Sequence, residues 1–190
     1  MLARAMHSPT LDLYAAAERV LMYLYSTRSL GLRYMKNQSI SISGMTDADW
    51  SVKCSTSGYA FFMGTSLLSF LSKKQPTISM CSAQSEMYAL SLGALESMFL
   101  AEMTELITGK KVKPIDIKVD CKAVEDLAKD FVSNSRVRHF ERRQLKIREL
   151  VAAGFVAISR VHTDENVADI FTKALGRNKF EKFRKILLNM

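Results

Sequence analysis

Residues 39–50 read SISISGMTDADW, and the architecture of the chain can be worked out from this stretch. Its isoleucines alternate with serines, which is typical of a strand that buries one face. Two further strand-like runs follow, STSGYAFFMG at 55–64 and SLLSFLSKK at 66–74, with a turn at Gly64-Thr65 between them. Three such runs in succession predict an antiparallel meander.

Beyond Ser82 the apolar period changes to that of a helix, and Met87, Leu90, Ala94 and Met98 mark one face. Gly109 is a suitable residue to end this helix. The rest of the chain predicts a strand at 114–119, helices at 122–129 and 139–153, a strand at 154–161, and helices at 166–175 and 178–189. The order β-β-β-α-β-α-α-β-α predicts an α/β fold with a mixed five-stranded sheet flanked by helices.

The segment before this pattern is a helix at 10–26 with Thr10 as its N-cap, followed by a short extended run at 30–36. It is predicted to be an appendage attached to the N-terminus of the domain.

The composition excludes several classes of protein. The chain has 190 residues, is 48% hydrophobic and has only 8 Gly and 3 Pro, which excludes a disordered or collagen-like chain. It has no apolar run long enough to span a bilayer and no secretory leader, so neither membrane insertion nor secretion is expected. Its three cysteines are widely spaced, which favours reduced thiols in an intracellular protein.

The net charge of +8 is concentrated in two stretches, 136–148 and 173–185, each with six basic residues and one acid. Both have helical spacing. They fit either a solvated helix face or a surface that binds the phosphates of a nucleic acid, and charge alone does not separate the two.

Four carboxylates lie at the ends of predicted elements: Asp47, Glu86, Asp120 and Asp169. If the first and fourth strands are neighbours, Asp47 and Asp120 lie side by side, and the other two can approach from the first turns of helices. Such a cluster is tolerable only if cations neutralise it, and oxygen ligands select Mg²⁺ or Mn²⁺ rather than zinc.

Each of these residues also has a purely structural interpretation. Glu86 and Asp169 could be partners of a helix dipole, and Asp120 could be an N-cap. Asp49 could replace Asp47, because both lie on the same strand face. Of the histidines, His162 is the better candidate for moving protons near a metal, whereas His139 lies in a basic stretch.

Longer motifs occur in a fixed order along the chain. They are Thr46–Trp50, Ser55–Tyr59, Ser72–Thr77, Ser85–Leu90, Arg138–Glu141 and Asn166–Leu175. In wording and order they resemble the ribonuclease H domain of copia-type retrotransposon Pol polyproteins. Residues 7–36 resemble the end of the preceding reverse transcriptase, most clearly at Ala17–Leu24.

The resemblance implies a ribonuclease H-like fold and three segments: a reverse transcriptase remnant at 1–38, the ribonuclease H-like domain at 39–176, and a C-terminal basic helix at 177–190. It implies a metal-dependent endoribonuclease that cleaves the RNA strand of an RNA–DNA hybrid. The catalytic acids fall on Asp47, Glu86, Asp120 and Asp169, with two Mg²⁺ ions, or Mn²⁺, as cofactors. Asp47 would bridge both ions, Asp169 would hold the ion with the nucleophilic water, and Glu86 and Asp120 would hold the other.

The partners implied are an RNA–DNA hybrid and the reverse transcriptase portion of the same polyprotein, in a cytoplasmic particle or the nucleus, with no membrane. Hybrid binding would use backbone phosphates and shape more than base readout. The candidate contact residues are Ser55, Thr56, Ser57, Lys73, Lys74, Arg136, Arg138, His139, Arg142 and Arg143.

The chain departs from the family pattern in three places. The segment Trp50–Ser55 is several residues shorter, Cys121 replaces an Asn, and Leu145 stands where a second His is frequent. Two alternatives therefore stay open: a catalytically inactive nucleic-acid-binding relic of the same fold, and another nuclease or integrase-like enzyme on that fold.

Overall fold

The structure is a computed structural model, and it describes residues 2, 6–36, 38–129 and 141–190. Five strands and six α-helices lie in these ranges, together with a 3₁₀ turn at Thr163–Glu165. The strands are β1 (Ile42–Asp49), β2 (Thr56–Met63), β3 (Ser66–Lys74), β4 (Ile115–Val119) and β5 (Val156–Arg160). The helices are α1 (Leu11–Ser26), α2 (Ser82–Thr108), α3 (Lys122–Lys129), α4 (Glu141–Ala152), α5 (Asp169–Thr172) and α6 (Arg177–Leu188).

The strands form one mixed sheet in the order β3-β2-β1-β4-β5. The first three are antiparallel neighbours, whereas β4 and β5 run parallel to β1. Parallel neighbours need crossover connections, and here helices provide them. The predicted ribonuclease H-like architecture and the adjacency of the first and fourth strands are confirmed.

Helices cover both faces of the sheet. On β2, Tyr59 and Phe61 belong to a core with Met87 of α2, while Ala60 and Phe62 belong to a second core with Phe183 of α6. This division follows from the strand geometry, because successive side chains point to opposite faces. The near-continuous apolar run at 59–63 is therefore the run of a central strand buried on both sides.

The chain divides into two compact units, residues 1–32 and 33–190. In the first unit, α1 begins after Thr10, whose hydroxyl accepts a hydrogen bond from the Leu13 N–H at 3.3 Å, as predicted. No residue of α1 is buried within the described part of the chain. The segment boundaries at 38 and 176 stay predictions.

Two predicted elements differ from the structure. The run at 30–36 forms no strand where it is described. The helix predicted at 166–175 shrinks to α5, because the Asn166 side chain accepts the Ala168 N–H at 3.2 Å and Lys173 returns to an extended conformation. The described helices also include none that is long and apolar enough to cross a bilayer.

Candidate active site

Three carboxylates converge where the strand order of the sheet places them. Met45 of β1 pairs with Lys118 of β4. Asp47 lies two residues after Met45, and Asp120 lies two residues after Lys118, so the two aspartates are neighbours. Glu86 approaches from α2, and one oxygen of each carboxylate lies within 4.8 Å of the others. Glu86 lies in the second turn of α2 rather than the predicted first turn, because the helix begins at Ser82.

Burial and mutual repulsion dominate the electrostatics of this group. Asp47 is only 1% exposed, and burial raises its pKa to about 6, although the Thr172 hydroxyl and the Lys173 ammonium oppose the rise. Burial also raises the pKa of Glu86 to about 9, and the negative charges of Asp47 and Asp120 add to the effect. Without a cation, Glu86 therefore holds a proton at neutral pH.

The fourth predicted acid, Asp169, lies in a different environment. It is 1% exposed at the start of α5, and lysines contact both of its oxygens: Lys173 Nζ at 2.9 Å from Oδ1 and Lys179 Nζ at 2.8 Å from Oδ2. Partial burial lowers the pKa of both lysines, but the nearby Asp169 carboxylate outweighs this and raises their pKa above the ordinary value. Asp169 is not in the group of three metal-competent carboxylates found among the described residues.

Residues at the end of α5 connect these two parts of the site. The Thr172 hydroxyl donates a short hydrogen bond to Asp47 Oδ2. Lys173 Nζ lies 3.6 Å from the same oxygen and therefore stands between Asp47 and Asp169. The contacts of Thr172 and Lys173 with Asp47 were not predicted from the sequence. The i,i+4 spacing of Asp169 and Lys173 on a helix is nevertheless a detectable signal for their ion pair.

Backbone contacts bring α5 close to the sheet. Gly58 pairs with Asp47 across β1 and β2, and a Cβ atom there would lie 2.8 Å from Thr172 Cγ2 and 3.1 Å from the Ala168 carbonyl. The buried Asn166 side chain donates to the Thr46 carbonyl at 3.0 Å and so ties the preceding loop to β1. The glycine in the Ser55–Tyr59 motif thus permits the contact between α5 and Asp47.

Asp47 and Asp49 lie in different surroundings. Both belong to β1, but only Asp47 joins the metal-competent group of the described residues, while Asp49 is half-buried at the strand end. His162 is 75% exposed, and its Nδ1 accepts the Asp164 N–H at 3.2 Å. Its predicted role in proton movement stays a prediction.

The predicted hybrid-binding residues fall into three groups. Ser55 and Ser57 are buried and hydrogen-bond inside the protein, to the Ser51 N–H and the Gln75 amide, so their hydroxyls are not presented to a ligand. The other described candidates are at least partly exposed: Thr56, Lys73, Lys74, Arg142 and Arg143. Lys74 donates to the Cys54 carbonyl, and Arg143 stacks over Tyr88 at 4.2 Å. Arg136, Arg138 and His139 lie outside the described residues.

The shortened hairpin between β1 and β2 leaves Asp47 in regular register with Gly58. Trp50 Nε1 donates to the Ser79 carbonyl at 2.9 Å, which ties the hairpin to the loop before α2.

The donor set of the three carboxylates fits one hard divalent cation. Only oxygen ligands converge, as Mg²⁺ and Mn²⁺ prefer, and their mutual repulsion adds to burial in raising the pKa of Glu86. Asp169, by contrast, already has two ammonium partners.

Comparison with models of known protein families gives no match. The chain is similar to the retrovirus-related Pol polyproteins of two Arabidopsis thaliana transposons. It is 30% identical to that of RE2 over 190 residues, which is 97% of this chain, and 28% identical to that of RE1 over 96% of this chain. It spans only 13% of the length of either polyprotein.

Solved structures support the same assignment at the level of the fold. RNase H1 from Halobacterium salinarum NRC-1 covers 75% of this chain and 98% of its own, with a TM-score of 0.53 at 15% identity. LC11-RNase H1 in complex with an RNA/DNA hybrid covers 70% and 94%, with a TM-score of 0.50 at 13% identity. By sequence the chain therefore corresponds to a short segment of the retrovirus-related Pol polyproteins of transposons, and by structure most of that segment has the ribonuclease H-like fold.

Proposed function

We propose that this chain is a divalent-metal-dependent endoribonuclease that hydrolyses the RNA strand of an RNA–DNA hybrid. The observation that supports this most directly is the convergence of Asp47, Glu86 and Asp120 on a ribonuclease H-like sheet. Phosphodiester hydrolysis at neutral pH needs an activated water and relief of negative charge, and three converging carboxylates are suited to bind the divalent cation that provides both.

Mg²⁺ is the proposed cofactor, with Mn²⁺ as an alternative, held first by Asp47, Glu86 and Asp120. When bound, a divalent ion supplies the positive charge that acidifies an attacking water and offsets the charge on the transferred phosphate. Glu86 would have to release its proton to become a ligand. The Thr172 hydroxyl fixes one Asp47 oxygen, which leaves the other free to bind. Asp169 is the proposed ligand for a second ion, and exposed His162 is a candidate to exchange protons with solvent.

The substrate class follows from charge and fold. LC11-RNase H1 has been solved in complex with an RNA/DNA hybrid, and this chain has the same fold. Lys73, Arg142 and Arg143 are exposed cations suited to the sugar-phosphate backbone, and Thr56 could donate a hydroxyl. Such contacts read the shape of the hybrid rather than its base sequence.

The polyprotein relatives suggest a second partner. We propose that residues 1–38 are the end of a reverse transcriptase and that this domain works beside the rest of that enzyme inside the cell, in a cytoplasmic particle or the nucleus. The exposed apolar side chains of α1 are consistent with a segment that packs against other parts of a longer protein.

One observation favours a second function, a hybrid-binding protein without nuclease activity. Asp169, the proposed ligand of a second ion, is neutralised on both oxygens by lysines. If these lysines never leave, the fold and the basic surface would retain binding while the chemistry is lost.

A cleavage assay separates these functions. The purified chain is incubated with Mg²⁺ or Mn²⁺ and labelled RNA–DNA hybrid, duplex DNA or duplex RNA, beside the variant Asp47→Asn. We expect cleavage of the hybrid alone and a loss of about 10³-fold or more in the variant, because one buried ligand charge disappears. Hybrid binding without cleavage in either metal would instead support the inactive protein, and cleavage of duplex DNA would contradict both.

A further inference from the structure

We propose that the Lys173 ammonium is a built-in cation that occupies the side of the site between Asp47 and Asp169. Without nucleic acid, the chain then binds one divalent ion, at Asp47, Glu86 and Asp120, and a second ion binds only when Lys173 moves away. This inference rests on the proposed function and concerns how many ions the site takes.

The position of Lys173 is the first argument. Its Nζ lies 2.9 Å from Asp169 Oδ1 and 3.6 Å from Asp47 Oδ2, so one ammonium neutralises two carboxylates. Each of these carboxylates is only 1% exposed. An ammonium between two buried carboxylates supplies the positive charge that a metal ion would otherwise supply there.

The shared use of Asp47 is the second argument. Asp47 offers one oxygen to the group with Glu86 and Asp120 and also faces Lys173. The two sides of the site therefore differ although they share a ligand. Lys173 Nζ lies 3.6 Å from Asp47 Oδ2, and both Lys173 and Lys179 contact Asp169, so the ammonium groups lie on the Asp169 side of the site.

The partner of the remaining Asp169 oxygen is the third argument. Lys179 Nζ lies 2.8 Å from Oδ2 and also donates to the Thr163 carbonyl at 3.1 Å. Lys179 thus holds α6 to the 3₁₀ turn as well as to Asp169. A cation that approaches Asp169 therefore meets an ammonium group at each carboxylate oxygen. Of the two lysines, Lys173 is the one that is not also tied to the 3₁₀ turn.

Lys173 is also free to leave. Its side chain is 36% exposed, and the residue lies just beyond the end of the four-residue helix α5 in an extended conformation. Rotation of its side chain into solvent needs no change in the core. The second ion is therefore excluded by competition and not by the shape of the site.

Metal titration without nucleic acid tests the inference. Metal-free protein is titrated with Mn²⁺, and the free ion is counted by electron paramagnetic resonance, for the wild type, Lys173→Met and the control Lys185→Met. Lys185 is exposed on α6 and matches the charge removed. For the wild type and the control we expect one tightly bound ion and a second ion that enters only at much higher Mn²⁺. In Lys173→Met we expect a second ion, with an affinity at least about tenfold higher than in the wild type.

A second measurement uses the wild type alone, so it does not depend on the folding of a variant. Acetylation of lysine amines is followed by mass spectrometry as Mn²⁺ increases. We expect Lys173 to react slowly at low Mn²⁺ and faster once a second ion enters, with Lys185 unchanged. Two ions of equal affinity in the wild type, a single ion in Lys173→Met, or constant reactivity of Lys173 would each overturn the inference.

The proposed function fails in a different way. If Asp47→Asn binds the first ion as well as the wild type does, Asp47, Glu86 and Asp120 are not its ligands, and the proposed metal site is wrong. If that ion is lost in Asp47→Asn but the ion count of Lys173→Met equals that of the wild type, only the inference about Lys173 fails.

Discussion

The two sides of the acidic site contain the same kind of side chain and differ in how its charge is balanced. On one side, Glu86 and Asp120 meet Asp47, and the pKa of Glu86 rises to about 9 mainly through burial. On the other, Asp169 is only 1% exposed, more deeply buried than Glu86, and two lysines contact it. A buried carboxylate is thus tolerated in two ways in one protein, by holding a proton and by pairing with a tethered cation.

This difference links metal binding to proton release. A ligand carboxylate must be ionised, so an ion that binds beside Glu86 displaces a proton. Lysines do not make this demand at Asp169, where the charge is already neutralised. The side with the proton is therefore the side that we expect to respond to pH and to divalent ions.

The largest expected effect is on the stability of the metal-free protein as pH changes. The unfolded chain releases the Glu86 proton near pH 4.5, whereas the folded protein holds it up to about pH 9. The folded state binds more protons over that window, so this group makes stability decrease as pH rises. In Glu86→Gln the contribution disappears, and we expect a gain over the wild type that grows to on the order of 3 kcal/mol by pH 8.5.

Urea denaturation of the metal-free protein at pH 5, 7 and 8.5 measures this gain, with Glu102→Gln, an exposed position on the same helix, as the control. Mn²⁺ should stabilise the wild type at pH 8.5 and have little effect on Glu86→Gln. If the difference in stability between the two proteins stays constant with pH, the charge of Glu86 is balanced by a cation, as at Asp169, and not by a proton.

Much of the fold could be predicted because its signals are local. Alternation in β1, the apolar run of β2 and the helical period after Ser82 each indicate burial along one element. Local patterns of this kind predicted all five strands. The helix at 166–175 was predicted too long because the Asn166 side chain competes for the backbone N–H of Ala168, and periodicity does not register such a contact.

The sequence predicted that the acids would lie together but did not predict how their charge is balanced. Asp47 and Asp120 could be placed side by side because Asp47 lies on β1 and Asp120 directly follows the parallel neighbouring strand β4. The pairing of Lys173 with Asp47 spans 126 positions and depends on how closely α5 approaches β2 at Gly58. The basic stretch that contains Lys173 was therefore assigned to solvent or phosphate, although two of its lysines point at Asp169.

The next effect concerns the contact that brings the two sides together. A methyl group at Gly58 would lie 2.8 Å from Thr172 Cγ2 and 2.9 Å from Phe171 Cβ, so Gly58→Ala must push α5 away from the sheet. We expect a loss of about 1–3 kcal/mol in the free energy of unfolding. Hybrid cleavage should also decrease, because Asp47 loses the Thr172 hydrogen bond that holds one of its oxygens.

Gly31→Ala is the matched control, since no atom lies within 4 Å of the added methyl group and the backbone φ lies outside the left-handed region. It should be neutral or slightly stabilising. If Gly58→Ala is as stable and as active as this control, the approach of α5 to β2 is not what connects the Asp169 side to Asp47.

The smallest expected effect comes from removing one lysine partner of Asp169. Lys179→Met leaves Asp169 with Lys173 as its remaining lysine partner, and we expect a loss of about 1 kcal/mol in the free energy of unfolding, or about 2–4 °C in Tm.

Arg177→Met on the same helix is the control: it breaks the Arg177–Glu181 pair, in which the arginine is 87% exposed. Exposed pairs of this kind contribute little, so Tm should barely change. Equal losses in the two variants would mean that burial of Asp169 adds nothing to the strength of its ion pair. A larger loss in Lys179→Met would show that the buried carboxylate depends on its lysines for stability in the way that the opposite side depends on a proton or a metal ion.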